Sequence, residues 1–145
     1  MYNQPALAAT VLTVNSANAS KYSVQSNLQV GSHPYGDTSD TFTTIPGQYL
    51  GSTYIQTAEA DDASTGLNLM DFTVNESVTV YVLYNSSYAT PSWLSSDFTK
   101  TTNQIVTTKG TFNVFEATVS AGTISLGGNY GTTKGMYGVL IVPVL

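Results

Sequence analysis

Few residues in this chain are equipped for chemistry, and they are scattered. His33 is the only histidine, cysteine is absent, and nine acids face four lysines with no arginine. A Ser-His-Asp relay would have to run through His33 with Asp37 or Asp40 as its orienter. No Gly-x-Ser-x-Gly elbow presents a nucleophile, and beside Pro34 the histidine reads as a turn residue. Without cysteine there is no thiolate for zinc, redox work or attack on a substrate. Glu59, Asp61 and Asp62 share one polar loop, where closely spaced hard oxygens could hold calcium. They lack the alternating ligands and closing Glu of an EF-hand, so a solvated acidic turn is the expectation, as it is for Asp37 and Asp40. Glycoside hydrolysis needs two carboxylates flanking the scissile bond, and no pair stands in a recognisable context. The residues therefore assign no catalytic group, no metal and no cofactor.

Binding is the better prospect. From Val78 to Leu94 a strongly β-forming run breaks into a polar loop ending on Pro91-Ser92-Trp93-Leu94, with the only tryptophan of the chain. Tyr84, Tyr88 and Trp93 could form an aromatic platform for a sugar, with Asn85 and nearby serines bonding its hydroxyls. The competing reading, and the expected one for Trp93 between Pro91 and Leu94, is that bulky aromatics bury. Gly127-Gly128-Asn129-Tyr130-Gly131 is a turn rather than a phosphate loop, because no helical pattern follows it.

Charge narrows the partners. Lys21, Lys100, Lys109 and Lys134 are too scattered to neutralise a run of phosphates, which argues against nucleic acid. A net charge of -5 with only 9% charged residues gives weak steering, so specificity must come from shape and hydrogen bonds. The longest apolar run, Val139 to Leu145, falls well short of the roughly 20 residues of a membrane span, and Met1 to Thr10 lacks the basic end of a secretory signal.

These residues must be positioned by strands. Short apolar-polar alternations punctuated by Gly, Pro, Asn, Asp and Ser predict an all-β fold: a single antiparallel β-sandwich, jelly-roll or immunoglobulin-like. About ten strands are expected, near Thr10 to Val14, Tyr22 to Val30, Asp40 to Ile45, Thr53 to Thr57, Leu69 to Val74, Val78 to Tyr84, Gln104 to Thr108, Thr111 to Val119, Thr123 to Leu126 and Met136 to Val142. No segment shows a sustained helical period. Asn75-Glu76-Ser77 predicts a hairpin between Met70 to Val74 and Val78 to Val82, and Lys109-Gly110 predicts a second before Phe112. In the strand from Thr111 to Val119, Phe112, Val114 and Glu116 share a face and Phe115 lies off it, which implies a bulge or cover on both sides. The candidate binding loops are Gly31 to Ser39, Glu59 to Gly66, Asn85 to Thr101 and Gly127 to Gly138. At 145 residues one domain suffices, 1–145, with residues 1–20 an arm or first strand.

Ordered blocks over most of the chain resemble a β-sandwich accessory module of secreted bacterial carbohydrate-active and surface proteins. They are Leu28-Gln-Val-Gly31, Phe42-Thr-Thr-Ile-Pro46, Leu50 to Ala58, Phe72-Thr-Val-Asn75, Val78 to Tyr84, Pro91-Ser-Trp-Leu94, Ala121 to Asn129 and Met136-Tyr137. The resemblance implies a family-like sandwich over residues 21–145. It also implies an Asp-x-Arg pair after the Tyr-Val-x-Tyr strand and an Asp-Arg-Thr in the earlier loop. This chain has Asn85-Ser86-Ser87 and Gly36-Asp37-Thr38 there, so both arginines are missing. Two non-enzymatic functions follow. One is a structural or decoration subunit of an extracellular assembly, foremost a phage virion, in which a short chain starting at Met, without a signal, packs as a homo-oligomer on a capsid or other assembly protein. The other is a carbohydrate-binding module that grips a surface glycan through the aromatic loop. Either places the protein on a virion or outside the cell.

Overall fold

The computed structural model describes residues 11–131 and 135–144. Its ten strands are β1 (Val11–Val14), β2 (Ser23–Gln25), β3 (Phe42–Thr44), β4 (Thr53–Gln56), β5 (Met70–Val74), β6 (Val78–Asn85), β7 (Thr99–Thr107), β8 (Gly110–Val119), β9 (Gly122–Leu126) and β10 (Gly138–Pro143). They form two antiparallel sheets, a small one ordered β1-β5-β9 and a large one ordered β2-β4-β10-β6-β8-β7-β3. The antiparallel β-sandwich read from the alternation is the fold of the chain. No helix among the described residues is long and apolar enough to cross a membrane.

Alternation decides which face each strand buries. On β6, Val78, Val80, Val82 and Tyr84 point between the sheets, where they meet Met70, Phe72 and Val74 of β5 and Val139 and Ile141 of β10. The intervening residues of the large sheet face the other way, and that outer face is also covered. Leu83, Leu140, Tyr54, Ile105, Phe112 and Val114 pack there under Leu28, Phe42, Ile45 and Tyr49. The cover arises from topology: β2 and β3 lie at opposite edges of the large sheet, so the chain between them must cross it, and residues 45–52 cross back to β4. Strands buried on both faces lose their alternation, which explains the unbroken apolar run Val139-Leu140-Ile141 at the heart of the sheet.

Three expectations are corrected. The link Asn75-Glu76-Ser77 is no hairpin, because β5 belongs to the small sheet and β6 to the large one. β5 and the first half of β6 bury alternate residues, and passing from one sheet to the other lets those rows face each other across the core. The second strand stops at Gln25, well short of Val30; two residues on, Asn27 takes a left-handed φ of 61° as the chain leaves the sheet. The loop expected from Asn85 to Thr101 contains a helix, α1 (Ser92–Asp97), and its end already belongs to β7. Six residues are too few to display a helical period, and Pro91 before them fits the helix entry.

The Lys109-Gly110 hairpin is present, pairing Thr107 with Gly110. β8 is covered on both sides, with Phe115 in the inter-sheet core and Phe112 and Val114 under the outer cover. Its register against β6 runs unbroken from Val78↔Val119 to Asn85↔Phe112, and the irregularity lies in β7, between Lys100 and Gln104.

Candidate functional site

The four loops singled out from the sequence meet at one end of the sandwich. Strand direction brings them there: β4, β6 and β9 end on that side, β5 and β10 begin on it, and the β7–β8 turn lies beside the end of β6. Hydrogen bonds then tie loop to loop. Both oxygens of Asp37 accept from backbone N–H groups of the acidic loop, Glu59 at 2.8 Å and Ala60 at 3.0 Å. Glu59 in turn accepts from the N–H groups of Gly135 at 3.0 Å and Met136 at 2.8 Å, and Lys109 of the β7–β8 turn pairs with it at 3.0 Å. The bond to Glu59 raises the Lys109 pKa above the ordinary lysine value.

Aromatic side chains hold the glycine-rich segment from within. Trp93 Nε1 donates to the Gly128 carbonyl at 2.8 Å, Tyr84 to the Asn129 carbonyl at 2.5 Å, and Tyr137 to the Gly127 carbonyl at 2.8 Å. Trp93 packs edge-on against Phe98 and Tyr137, at ring separations of 6.3 and 5.5 Å. Asn129 is fully buried and reaches both ways, donating to the Asp62 carbonyl at 2.8 Å and accepting from the Tyr137 N–H at 3.0 Å. Glycine is needed here for space: a Cβ on Gly127 would stand 2.5 Å from Trp93 Cδ1, and one on Gly128 would stand 2.5 Å from the Ser64 carbonyl oxygen. Burial raises the pKa of both Tyr84 and Tyr137, so these phenols stay neutral donors.

The sequence candidates therefore occupy unequal positions. Trp93 and Tyr84 are buried at 7% and 1% exposure, so neither offers a ring to a ligand, and the expected burial of Trp93 is what the fold uses. Asn85 is also buried and accepts from the Ser87 N–H at 2.9 Å, shaping the turn after β6. Tyr88 is half-buried; a Cβ on Gly131 would lie 3.8 Å from its ring. Sequence reasoning missed Tyr130, which is 43% exposed with a φ of 59°. The only signal for it was an aromatic residue inside a glycine-rich turn.

The acidic residues serve as braces. Asp61 accepts from Ser16 Oγ, from Asn18 Nδ2 at 2.8 Å and from the Tyr22 hydroxyl at 2.6 Å, fastening the segment after β1 to the acidic loop. Burial, then the bond to Asp61, drives the Tyr22 pKa well above the ordinary tyrosine value. Of the two weak calcium candidates, Asp61 has both oxygens engaged by protein donors. Among the described residues no three His, Cys, Asp or Glu side chains are gathered as metal ligands. His33 is exposed and its Nδ1 donates to the backbone carbonyl of Asp40 at 2.9 Å, while the Asp40 carboxylate accepts from Thr38 and Thr108 and Asp37 is engaged as above. No His-carboxylate pair is formed. A separate groove of about 320 Å³ runs beside β9, with Phe98, Val119 and Ile124 among its walls and Asp97, Ser120 and Thr123 offering polar groups.

No family model and no curated protein matches the sequence. Solved structures do share the fold. One is a β-glucuronidase from glycoside hydrolase family 2, with a TM-score of 0.85 and 21% identity over 92% of this chain and 14% of that one. Another is a GH138 enzyme targeting pectin rhamnogalacturonan II, with a TM-score of 0.67 and 14% identity over 99% of this chain and 17% of the enzyme. The chain spans less than a fifth of either enzyme, so it is similar to a part of each. At these identities the likeness is one of fold.

Proposed function

We propose that this chain is a non-catalytic accessory module that contacts a polysaccharide. The observation that carries the reading is the convergence of four loops on one end of the sandwich, where buried Trp93, Tyr84, Tyr137 and Asn129 fix the backbone of the glycine-rich segment and Asn129 ties it to the acidic loop. Binding residues work best on loops whose geometry is locked from beneath. The likeness to parts of two carbohydrate-acting enzymes supports the ligand class. The absence of enzymatic activity is supported by Asp37, Glu59 and Asp61, whose oxygens are given over to bracing loops. A decoration subunit of a virion draws no support from either likeness, since both are to parts of enzymes. The test is electrophoresis of the purified protein through native gels cast with plant and bacterial polysaccharides. Retardation by at least one polymer is expected, and unchanged mobility in all of them overturns the proposal.

A further inference from the structure

We infer that Tyr130, with Tyr88 and Leu67 beside it, is the contact point for a neutral polysaccharide, an assignment that rests on the module reading above. Tyr130 and Asn27 are the non-glycine residues with positive φ among the described residues, and a bulky aromatic seldom occupies that region. Here the strain does not serve to bury the ring, which keeps 43% of its surface in solvent. Its hydroxyl accepts from the Gly66 N–H at 2.8 Å and donates to the Gly66 carbonyl at 3.2 Å, so the tip of the ring is pinned to the acidic loop. The next residue in that loop, Leu67, is 74% exposed. On the other side Tyr88 lies against Gly131, and Asn129, the residue before Tyr130, is anchored to Asp62 and Tyr137. A pre-oriented aromatic surface of this size suits the apolar face of a sugar ring, with little ordering cost on binding. A chain of net charge -5 without arginine favours an uncharged polymer over a uronate-rich one.

The experiment compares the intact protein with Tyr130→Gly, Tyr88→Ala and Ala121→Trp in gels containing xyloglucan, galactomannan, mixed-linkage β-glucan or polygalacturonate. Glycine accepts the φ of residue 130 without strain, so Tyr130→Gly deletes the ring and leaves the loop path open. Ala121→Trp fills the groove beside β9. The expected result is binding to a neutral polymer that weakens at least tenfold in Tyr130→Gly, several-fold in Tyr88→Ala, and less than twofold in Ala121→Trp, with an unchanged melting temperature for Ala121→Trp and a slightly lowered one for Tyr130→Gly, which gives up both bonds to Gly66. Binding that survives Tyr130→Gly, or fails only in Ala121→Trp, overturns the assignment and leaves the module reading standing. A preference for polygalacturonate overturns the choice of a neutral ligand. Retardation of no variant by any polymer removes the module reading and this inference with it.

Discussion

The loop-bearing end and the cover over the outer face of the large sheet are both well packed, but different forces locate them. The cover is held by volume. Leu28, Phe42, Ile45 and Tyr49 sit on an apolar sheet face, with Phe42 edge-on to Tyr54 at 6.1 Å and Tyr49 edge-on to Tyr81 at 5.0 Å. The loop end is held by direction. Its fully buried Asn129 and Thr57 and its buried Glu59 each meet a backbone group of another segment, Thr57 donating to the Tyr137 carbonyl at 2.9 Å. Apolar packing tolerates many arrangements of similar volume, whereas a buried polar group unmatched by its partner is costly. The cover therefore rests on filled volume, while the polar contacts at the loop end form a clamp that sets where backbone atoms of the loops must lie.

The largest effect is expected at Asn129. Asn129→Leu leaves the Tyr137 N–H buried without its partner, at about 1–3 kcal/mol, and also strips the half-buried Asp62 carbonyl of its donor. Leu140→Met in the other cluster keeps volume and chemistry and should cost under about 1.5 kcal/mol. Urea unfolding of both variants measures the contrast, and equal losses would mean that the loop end is held by packing after all. A smaller effect sharpens the same point at two glycines. Gly127→Ala drives a methyl into Trp93, an overpacking cost of about 1–3 kcal/mol. Gly47→Ala, in the cover segment, meets nothing within 4 Å and should stay within about 0.5 kcal/mol of the parent. Thermal melts distinguish them, and matching melting temperatures would show that the loop can yield around Trp93.

These two regions also differ in how far they could be read from the sequence. Each of the ten strands overlaps a segment expected from the pattern, but that the apolar run at Val139 is buried on both faces emerges only from the packing. The partners of β5 were not legible either, because the same alternation serves a hairpin and a crossing between sheets, and only the three-dimensional packing separates them. The helix at Ser92–Asp97 was too short to carry a period. At the loop end the burial expected of Trp93 between Pro91 and Leu94 held, but the partners did not show: nothing local says that Trp93 and Tyr84 each meet a carbonyl more than thirty residues away. The polar pairs Asn129–Asp62 and Asp61–Tyr22 join positions far apart in the chain. Spacing along the sequence holds no record of them.

Asp62 gives the smallest effect and tests the electrostatic side of the clamp. Its pKa is raised above the ordinary aspartate value, first by burial and then by the neighbouring Glu59 carboxylate, against weaker help from the Ala63 N–H and Lys109. A group whose folded pKa lies above its unfolded value contributes its stability fully below the unfolded pKa, near 3.9, and loses it as pH rises through the folded pKa. Ionised Asp62 therefore opposes folding at neutral pH. Asp62→Asn removes that charge and leaves the backbone carbonyl that Asn129 needs. The variant should be more stable than the parent at pH 7, by at most about 0.5 kcal/mol for a partly exposed site, and the advantage should vanish as pH falls below about 4. Melting curves of the two proteins between pH 3 and 8 decide it. An offset that ignores pH would trace the change to packing, and a destabilised variant at pH 7 would mean that the Asp62 carboxylate is itself one of the directional contacts holding this end together.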